Sequence, residues 1–175
     1  MNNIELELLK QIADINETPN GAYNIRKDGE GFERKVTENV DIVTKADKAG
    51  IDIIVKENTK NEFIHIPVII TDSGLKDVVY NDFYIGKNAK VYIIAGCGIH
   101  NCGDQESAHD GIHSFHVGKN SKLRYVEKHY GSVDGKGKNT MNPTTVIELD
   151  ENAVMEMETT QIKGIDDTVR KTSAV

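Results

Sequence analysis

The sequence predicts an all-β fold, a right-handed parallel β-helix preceded by one short N-terminal α-helix. Three observations predict it: a repeat of near-constant spacing, apolar alternation with the two-residue period of strands, and a single helical stretch confined to the start of the chain. The expected organisation is a helix and linker over residues 1–22, followed by β-helix coils over residues 23–175.

The helix is read from IELELLKQIADI, where Ile4, Leu8, Ile12 and Ile15 recur at helical spacing among charged residues. Asn20-Gly21 ends the pattern, and no second convincing helix follows. The repeat then begins. DIIVKENTKNEFI (52–64), DFYIGKNAKVYII (82–94), SFHVGKNSKLRYV (114–126) and VIELDENAVMEME (146–158) align without gaps. YNIRKDGEGFERK (23–35) is a fainter candidate copy. The anchoring residues Asn58, Asn88, Asn120 and Asn152 lie 30, 32 and 32 residues apart. Five places before each stand Ile53, Phe83, Phe115 and Ile147, and three before stand Val55, Ile85, Val117 and Leu149. Five after stand Phe63, Ile93, Tyr125 and Met157, whereas two after stand Lys60, Lys90, Lys122 and Val154. Strand side chains alternate between faces, so odd offsets are expected to point inward and the lysines into water.

Each Asn sits at the bend, where its side chain tolerates the left-handed conformation; Gly86 and Gly118 are expected to help. Like positions recurring in every copy favour stacked coils, whose equivalent residues form columns about 4.8 Å apart. An antiparallel sandwich or barrel is the alternative. The last residues, RKTSAV, read like entry into another coil, so a C-terminal portion is expected beyond them.

Composition narrows the function. At 38% hydrophobic and 28% charged the chain suits a soluble globular protein, and with 6% aromatics and no Trp its core must rest on Ile, Val and Leu. A net charge of −7 with no block of Lys or Arg argues against nucleic acid. MNNIELELLK lacks the basic region and apolar run of a secretory signal, and no window approaches the roughly 18–20 apolar residues of a membrane span. The expected address is the cytosol, where a structural disulfide is disfavoured and free thiols, a metal site or a redox role are the uses left to Cys97 and Cys102.

Cys97-Gly-Ile-His100-Asn-Cys102 places three soft or borderline ligands within six residues, flanked by Gly96, Gly98 and Gly103, which would let the backbone fold around an ion. The spacing matches no standard motif, and a glycine-rich turn holding two buried or half-exposed thiols is the plainer explanation. His113 is expected to face inward beside Phe115 and Val117, as a core residue or as a fourth metal ligand with Cys97, His100 and Cys102; His116 faces out. Cys97 lies nine residues after Asn88 and His129 nine after Asn120, so in-register coils would make them neighbours in one column, between Pro67 and Gln161. An imidazolium there would lower the thiol pKa, and Cys97, His100, Cys102 and His129 form the candidate sulfur- or iron-handling set. The acidic run Glu148, Asp150, Glu151, Glu156 and Glu158 is read as a solvated strand face. No nucleophile elbow, P-loop or dinucleotide fingerprint appears, and no catalytic residue is assigned.

GAYNIRKDGEGFERKVTENVDIVTK, VYNDFYIGKNAKVYIIAGCGIHNCG, HDGIHSFHVGKNSKLRYVEKHYG and MNPTTVIELDENAVMEMETTQIKG resemble, in order, short SufB/SufD-like proteins of anaerobic bacteria and archaea. The resemblance runs from about residue 4 to the last residue. It implies a non-enzymatic β-helix scaffold for iron–sulfur cluster assembly, holding a transient cluster or iron. It further implies partnership with an ABC-type ATPase of the SufC kind, with itself or a SufB/SufD-like paralogue, and with a sulfur donor protein. The family's best-known functional residues, a Cys and a Glu with a His on SufD, belong to later coils, and the ATPase-binding helices follow them, so none carries over. Two rivals stand beside it: a small cupin-like metalloenzyme using His113, His116 and a carboxylate, and a purely structural interaction module.

Overall fold

The computed structural model describes residues 1–14 and 19–175. It opens with α1 (Asn3–Ala13). Strands β1 (Ala22–Lys27), β2 (Glu30–Lys35), β3 (Val40–Thr44), β4 (Gly50–Val55), β5 (Lys60–Ile70), β6 (Lys76–Ile85) and β7 (Lys90–Asn101) follow. The chain continues with β8 (Ser107–Val117), β9 (Lys122–Val133), β10 (Asn139–Met141), β11 (Thr144–Leu149), β12 (Val154–Lys163) and β13 (Lys171–Ala174). Two sheets result, ordered β12-β9-β7-β5-β1-β2 and β13-β11-β8-β6-β4-β3, with β10 beside β8. Successive strands alternate between the sheets and pair in parallel with their counterparts one coil away, which is a β-solenoid.

The asparagines form a row. All four adopt left-handed φ values of 57–62°. Asn88 donates its amide to the Asn58 side-chain oxygen at 3.0 Å; Asn120 donates to Asn88, and Asn152 to Asn120, each at 3.3 Å. The backbone ladder crosses the bend with them, the Asn88 N–H donating to Lys119 at 2.9 Å. Gly86 and Gly118 serve differently from expectation: neither has positive φ, and a Cβ on either would strike the backbone of the adjacent coil.

The predicted inward columns hold for Ile53, Phe83, Phe115 and Ile147, which stand in register on β4, β6, β8 and β11 and are buried. The lysines Lys60, Lys90 and Lys122 also align, on the outside. The gapless alignment fails at one place. Asn61, at φ 60°, is an extra residue, so the register shifts between Lys60 and Glu62. Ile64 takes the place beside Ile93, and Phe63 turns out to solvent against Tyr92, 49% exposed.

Residues 23–35 are not an early repeat copy. The Asp28-Gly29 turn, with φ of 45° and 84°, folds β1 and β2 into an antiparallel hairpin. β3 likewise runs antiparallel to β4, and Arg34 links the two edges by donating to Asn24, Ile42 O and Thr44. These pairings cover the first coil. The remaining ladders are parallel, so the sheets do not form the antiparallel sandwich of the cupin-like alternative.

Among the described residues α1 is the one helix, and none is long and apolar enough to cross a membrane. Asn2 caps it, accepting from the Glu5 N–H at 2.9 Å while Glu5 accepts from the Asn2 N–H at 2.9 Å. Its buried face is Glu5, Leu8, Leu9, Ile12 and Ala13, which keeps the expected Leu8 and Ile12 and leaves Ile4 out. Ile4 is 44% exposed, and Ile15 lies outside the described residues. The helix lies on the outer face of the first sheet against Tyr23, Ile25, Ile69 and Ile94, tied by Glu5–Lys27 at 2.7 Å and Asp14–Lys128 at 2.8 Å.

Gly96 and Gly98 make that docking possible. A Cβ on Gly98 would meet Leu8 at 3.2 Å, and one on Gly96 would meet the Ile12 carbonyl oxygen at 2.8 Å. Gly98→Val is therefore expected to dislodge α1, costing about 1–3 kcal/mol. Amide hydrogen exchange should quicken in residues 3–13 while β7 and β9 stay protected; unchanged exchange in the helix would refute the packing role.

Candidate functional site

The solenoid interior is apolar near the asparagine bend and polar towards the opposite corners. Counting along the same alternation that buries Phe115, the inward positions farther from the bend are Cys97 on β7, His109 and His113 on β8, and Glu127 and His129 on β9, with Asp77 and Asn81 on β6. All are buried.

These groups form two bracketed carboxylates. Asp77 accepts from Arg26 Nη2 at 2.8 Å and Nε at 3.0 Å, and stands 3.2 Å from His109 Nδ1. Glu127 accepts from Arg170 at 2.9 Å and from the Tyr125 hydroxyl at 3.1 Å. It also lies 3.7 Å from His129 Nε2 and 3.8 Å from His113 Nδ1. His113 Nδ1 is 2.9 Å from Tyr125 Oη, and its Nε2 is 3.4 Å from the Asn81 amide. Each buried anion thus has a guanidinium partner, as burial of charge demands. Between the sheets lies a cavity of about 20 Å³, lined by Cys97, His109, Gly111, His113, Glu127 and His129 among others. That is room for a single water-sized occupant.

Burial sets the protonation states. It lowers His113 to about 4 and lowers His129, although Glu127 pulls both the other way. Burial would raise Glu127 and Asp77, but the imidazoles and guanidinium groups beside them hold both below the usual carboxylate range. Burial, then the charges of Asp77 and Glu127, push the Cys97 thiol well above its ordinary value. The expected imidazolium beside Cys97 is therefore replaced by a neutral ring. The thiol is protonated at neutral pH and not activated.

Cys97 and His129 are direct neighbours in one column, as the repeat register predicts. Gln161 follows His129, but Val68, not Pro67, precedes Cys97, because the extra residue at Asn61 shifts β5 by one. His113 is inside and His116 outside, where it stacks on Tyr84 with centroids 4.9 Å apart and meets Glu148 at 2.8 Å. The other two candidates part company with Cys97. His100, an odd number of residues away, lies on the opposite face of β7, its Nδ1 2.6 Å from Ser132 Oγ and its Nε2 3.7 Å from Asp134. Cys102 is exposed at the corner after β7, where Asn101 accepts from Ser73 and from the Gly103 N–H. Cys97, His100, Cys102 and His113 are thus not gathered around one point. Among the described residues no group of three or more Cys, His, Asp or Glu could hold a metal ion. The glycines of this stretch seat α1 and the corner rather than wrapping an ion.

No motif in the sequence points to Asp77, Glu127, Arg26 or Arg170. A signal existed for one pair: Glu127 lies seven and Asp77 eleven residues from the nearest anchoring Asn, both odd offsets, and a carboxylate at an inward position demands a partner. The acidic strand face was read correctly, with Glu148, Glu151, Glu156 and Glu158 pairing across strands to His116, Lys119 and Arg124.

No protein-family model matches the chain, and no solved structure is significantly similar to it. Among curated proteins, an iron–sulfur cluster assembly SufBD family protein of Methanocaldococcus jannaschii is 26% identical over 118 residues, which are 67% of this chain and 36% of that protein. The chain therefore spans about a third of the length of this relative. The relation so supported is distant and partial, to the SufB/SufD kind of iron–sulfur cluster assembly protein.

Proposed function

We propose that the chain is part of a non-enzymatic scaffold on which iron–sulfur clusters are assembled. Its partners would be a SufC-like ABC ATPase, a second copy or a SufB/SufD-like paralogue, and a sulfur donor protein. The cluster is cargo. The observation that carries this reading is the distant match to a SufBD family protein, on a chain that folds as a parallel β-solenoid. Cys97 is the interior candidate for holding sulfur and Cys102 the exposed one; they stand apart, so any transfer involves them in succession or only one of them.

The buried, protonated state of Cys97 gives weight to a second reading, an interaction module in which neither cysteine handles sulfur. One experiment separates them. The chain is coexpressed with a SufC-like ATPase, purified anaerobically, and reconstituted with ferrous iron and sulfide, as wild type and as the C97S/C102S variant. Scaffold function predicts ATPase retention by both and visible cluster absorbance for wild type alone. Retention with identical spectra selects the interaction module, and loss of both retention and cluster overturns the assembly reading.

A further inference from the structure

We propose that the solenoid interior binds one water molecule that bridges His109 and His129, so joining the two bracketed carboxylates, and that carries the proton of the Cys97 thiol. The inference stands on the interior geometry and does not depend on the scaffold reading.

The hydrogen bonds fix which nitrogen of each imidazole is free. Asp77 is acceptor-only when ionised, so His109 donates from Nδ1 at 3.2 Å and keeps its lone pair on Nε2. The Tyr125 hydroxyl gives its one proton to Glu127, so it accepts from His113 Nδ1 at 2.9 Å. The His113 lone pair is then on Nε2, which faces the Asn81 amide at 3.4 Å. His129 turns Nε2 towards the Glu127 carboxylate at 3.7 Å, which leaves its lone pair on Nδ1. That Nδ1 is buried and has no hydrogen-bond partner among the described residues. A buried acceptor of this kind costs free energy unless a donor stands beside it.

There is room for one donor among these groups. A Cβ on Gly111 would stand 3.1 Å from His113 Nε2 and 3.5 Å from His109 Nε2, so both rings turn their lone pairs towards the notch left by the missing side chain. His129 and Cys97, paired across β7 and β9, line the same cavity from the other sheet. Its volume of about 20 Å³ takes a single water.

A buried water makes about three hydrogen bonds. This one donates to His129 Nδ1, which needs a donor, and to His109 Nε2, and it accepts from the Cys97 S–H, a weak donor on the cavity wall. Arg26, Asp77 and His109 on one side and His129, Glu127 and Arg170 on the other then form one polar network, with every side chain where it already stands. The thiol gains a route for its proton. The proton passes from sulfur to the water oxygen as a water proton passes to His129 Nδ1, giving a transient thiolate and an imidazolium facing Glu127; the reverse transfer restores the neutral pair. Cys97 therefore exchanges its proton through the water, without opening of the strand ladder.

The test uses the full chain with C102S as background, which leaves Cys97 the one thiol. Its S–H stretch is read by infrared spectroscopy, then followed as S–H becomes S–D in heavy water. The expected stretch is lowered by hydrogen bonding, and the conversion finishes well before the backbone amides of β7 exchange. Gly111→Ala, whose methyl intrudes on the notch, should raise the stretch and delay conversion until those amides exchange. His129→Gln should delay it likewise, while His100→Gln, on the opposite face of β7, leaves both readouts unchanged. A stretch typical of a free thiol, conversion only in step with the β7 amides, or readouts that Gly111→Ala does not move would overturn the site. Should the interior variants fail to fold, the background chain decides alone. Magnetisation transfer from a long-lived water to the ring C–H protons of His109 and His129 is expected, and its absence refutes the bridge.

Discussion

Phe115→Ala is expected to destabilise the chain by about 4 kcal/mol. Phe115 is fully buried in the inward column it shares with Ile53, Phe83 and Ile147. It stacks on Phe83 with centroids 4.4 Å apart and planes 12° from parallel, and meets the edge of Tyr125 at 4.8 Å. Truncation removes the hydrophobic contribution and leaves a void that two flanking coils, held in register by parallel ladders on both sides, cannot close. It also unseats Tyr125, whose hydroxyl links His113 to Glu127, so the loss spreads into the polar interior. Against a total stability of about 5–15 kcal/mol for a domain, this is a large fraction. Phe63→Ala is the control: its ring is on the outside, and the expected cost is under about 1 kcal/mol. Urea unfolding of both variants, read at constant m-value, checks the pair. Similar costs for the two would mean that the register shift at Asn61 is wrong and Phe63 belongs in the core.

The contrast between these phenylalanines marks how far the sequence alone reaches. Asparagine spacing and period-two alternation sufficed for the solenoid, the amide row and the Phe83–Phe115 column, because every coil repeats the same local choices. They failed at Asn61, where one left-handed residue inserts into β5; nothing in the local composition distinguishes a bulge from a continuing strand. They failed again at residues 23–35, where the Asp28-Gly29 pair turns the chain back on itself and the apparent similarity to a bend concealed a hairpin. The helix lies where its periodicity predicts and buries Leu8 and Ile12 as expected, but its buried face widens to Glu5, Leu9 and Ala13 and leaves Ile4 exposed. Its buried stripe is set by Gly96 and Gly98 on a strand more than eighty residues away, a tertiary constraint that local periodicity does not carry.

For the candidate site, strand parity is informative. Cys97 and His129, nine residues past their asparagines, were placed together correctly. The same count puts His100 twelve and Cys102 fourteen residues past Asn88, on the outer face. Proximity in sequence suggested a ligand cluster that strand alternation forbids. The residues that do converge, His109, His113 and His129 with Asp77 and Glu127, come from three strands in two sheets and become visible only when the coils are stacked.

That convergence makes the fold acid-sensitive. The unfolded chain protonates a histidine near pH 6.5, whereas His113 in the fold resists protonation down to about 4 because burial disfavours its charged form. As pH falls between those values the unfolded state binds the proton and the folded state does not. Stability held in the neutral ring is complete above about 6.5 and drains away towards 4, by about 3 kcal/mol in all. His129 and His65, also lowered by burial, add loss in the same direction. Asp77 and Glu127 extend it, since their lowered carboxyl values contribute stability that disappears only at still lower pH. With a chelator present, urea midpoints should fall steadily from pH 7.5 to pH 5, and His113→Gln should flatten the slope while lowering stability at pH 7.5. Midpoints that stay level across this window would mean that the imidazole of His113 titrates alike in the folded and unfolded chain, and the closed polar interior would go with it.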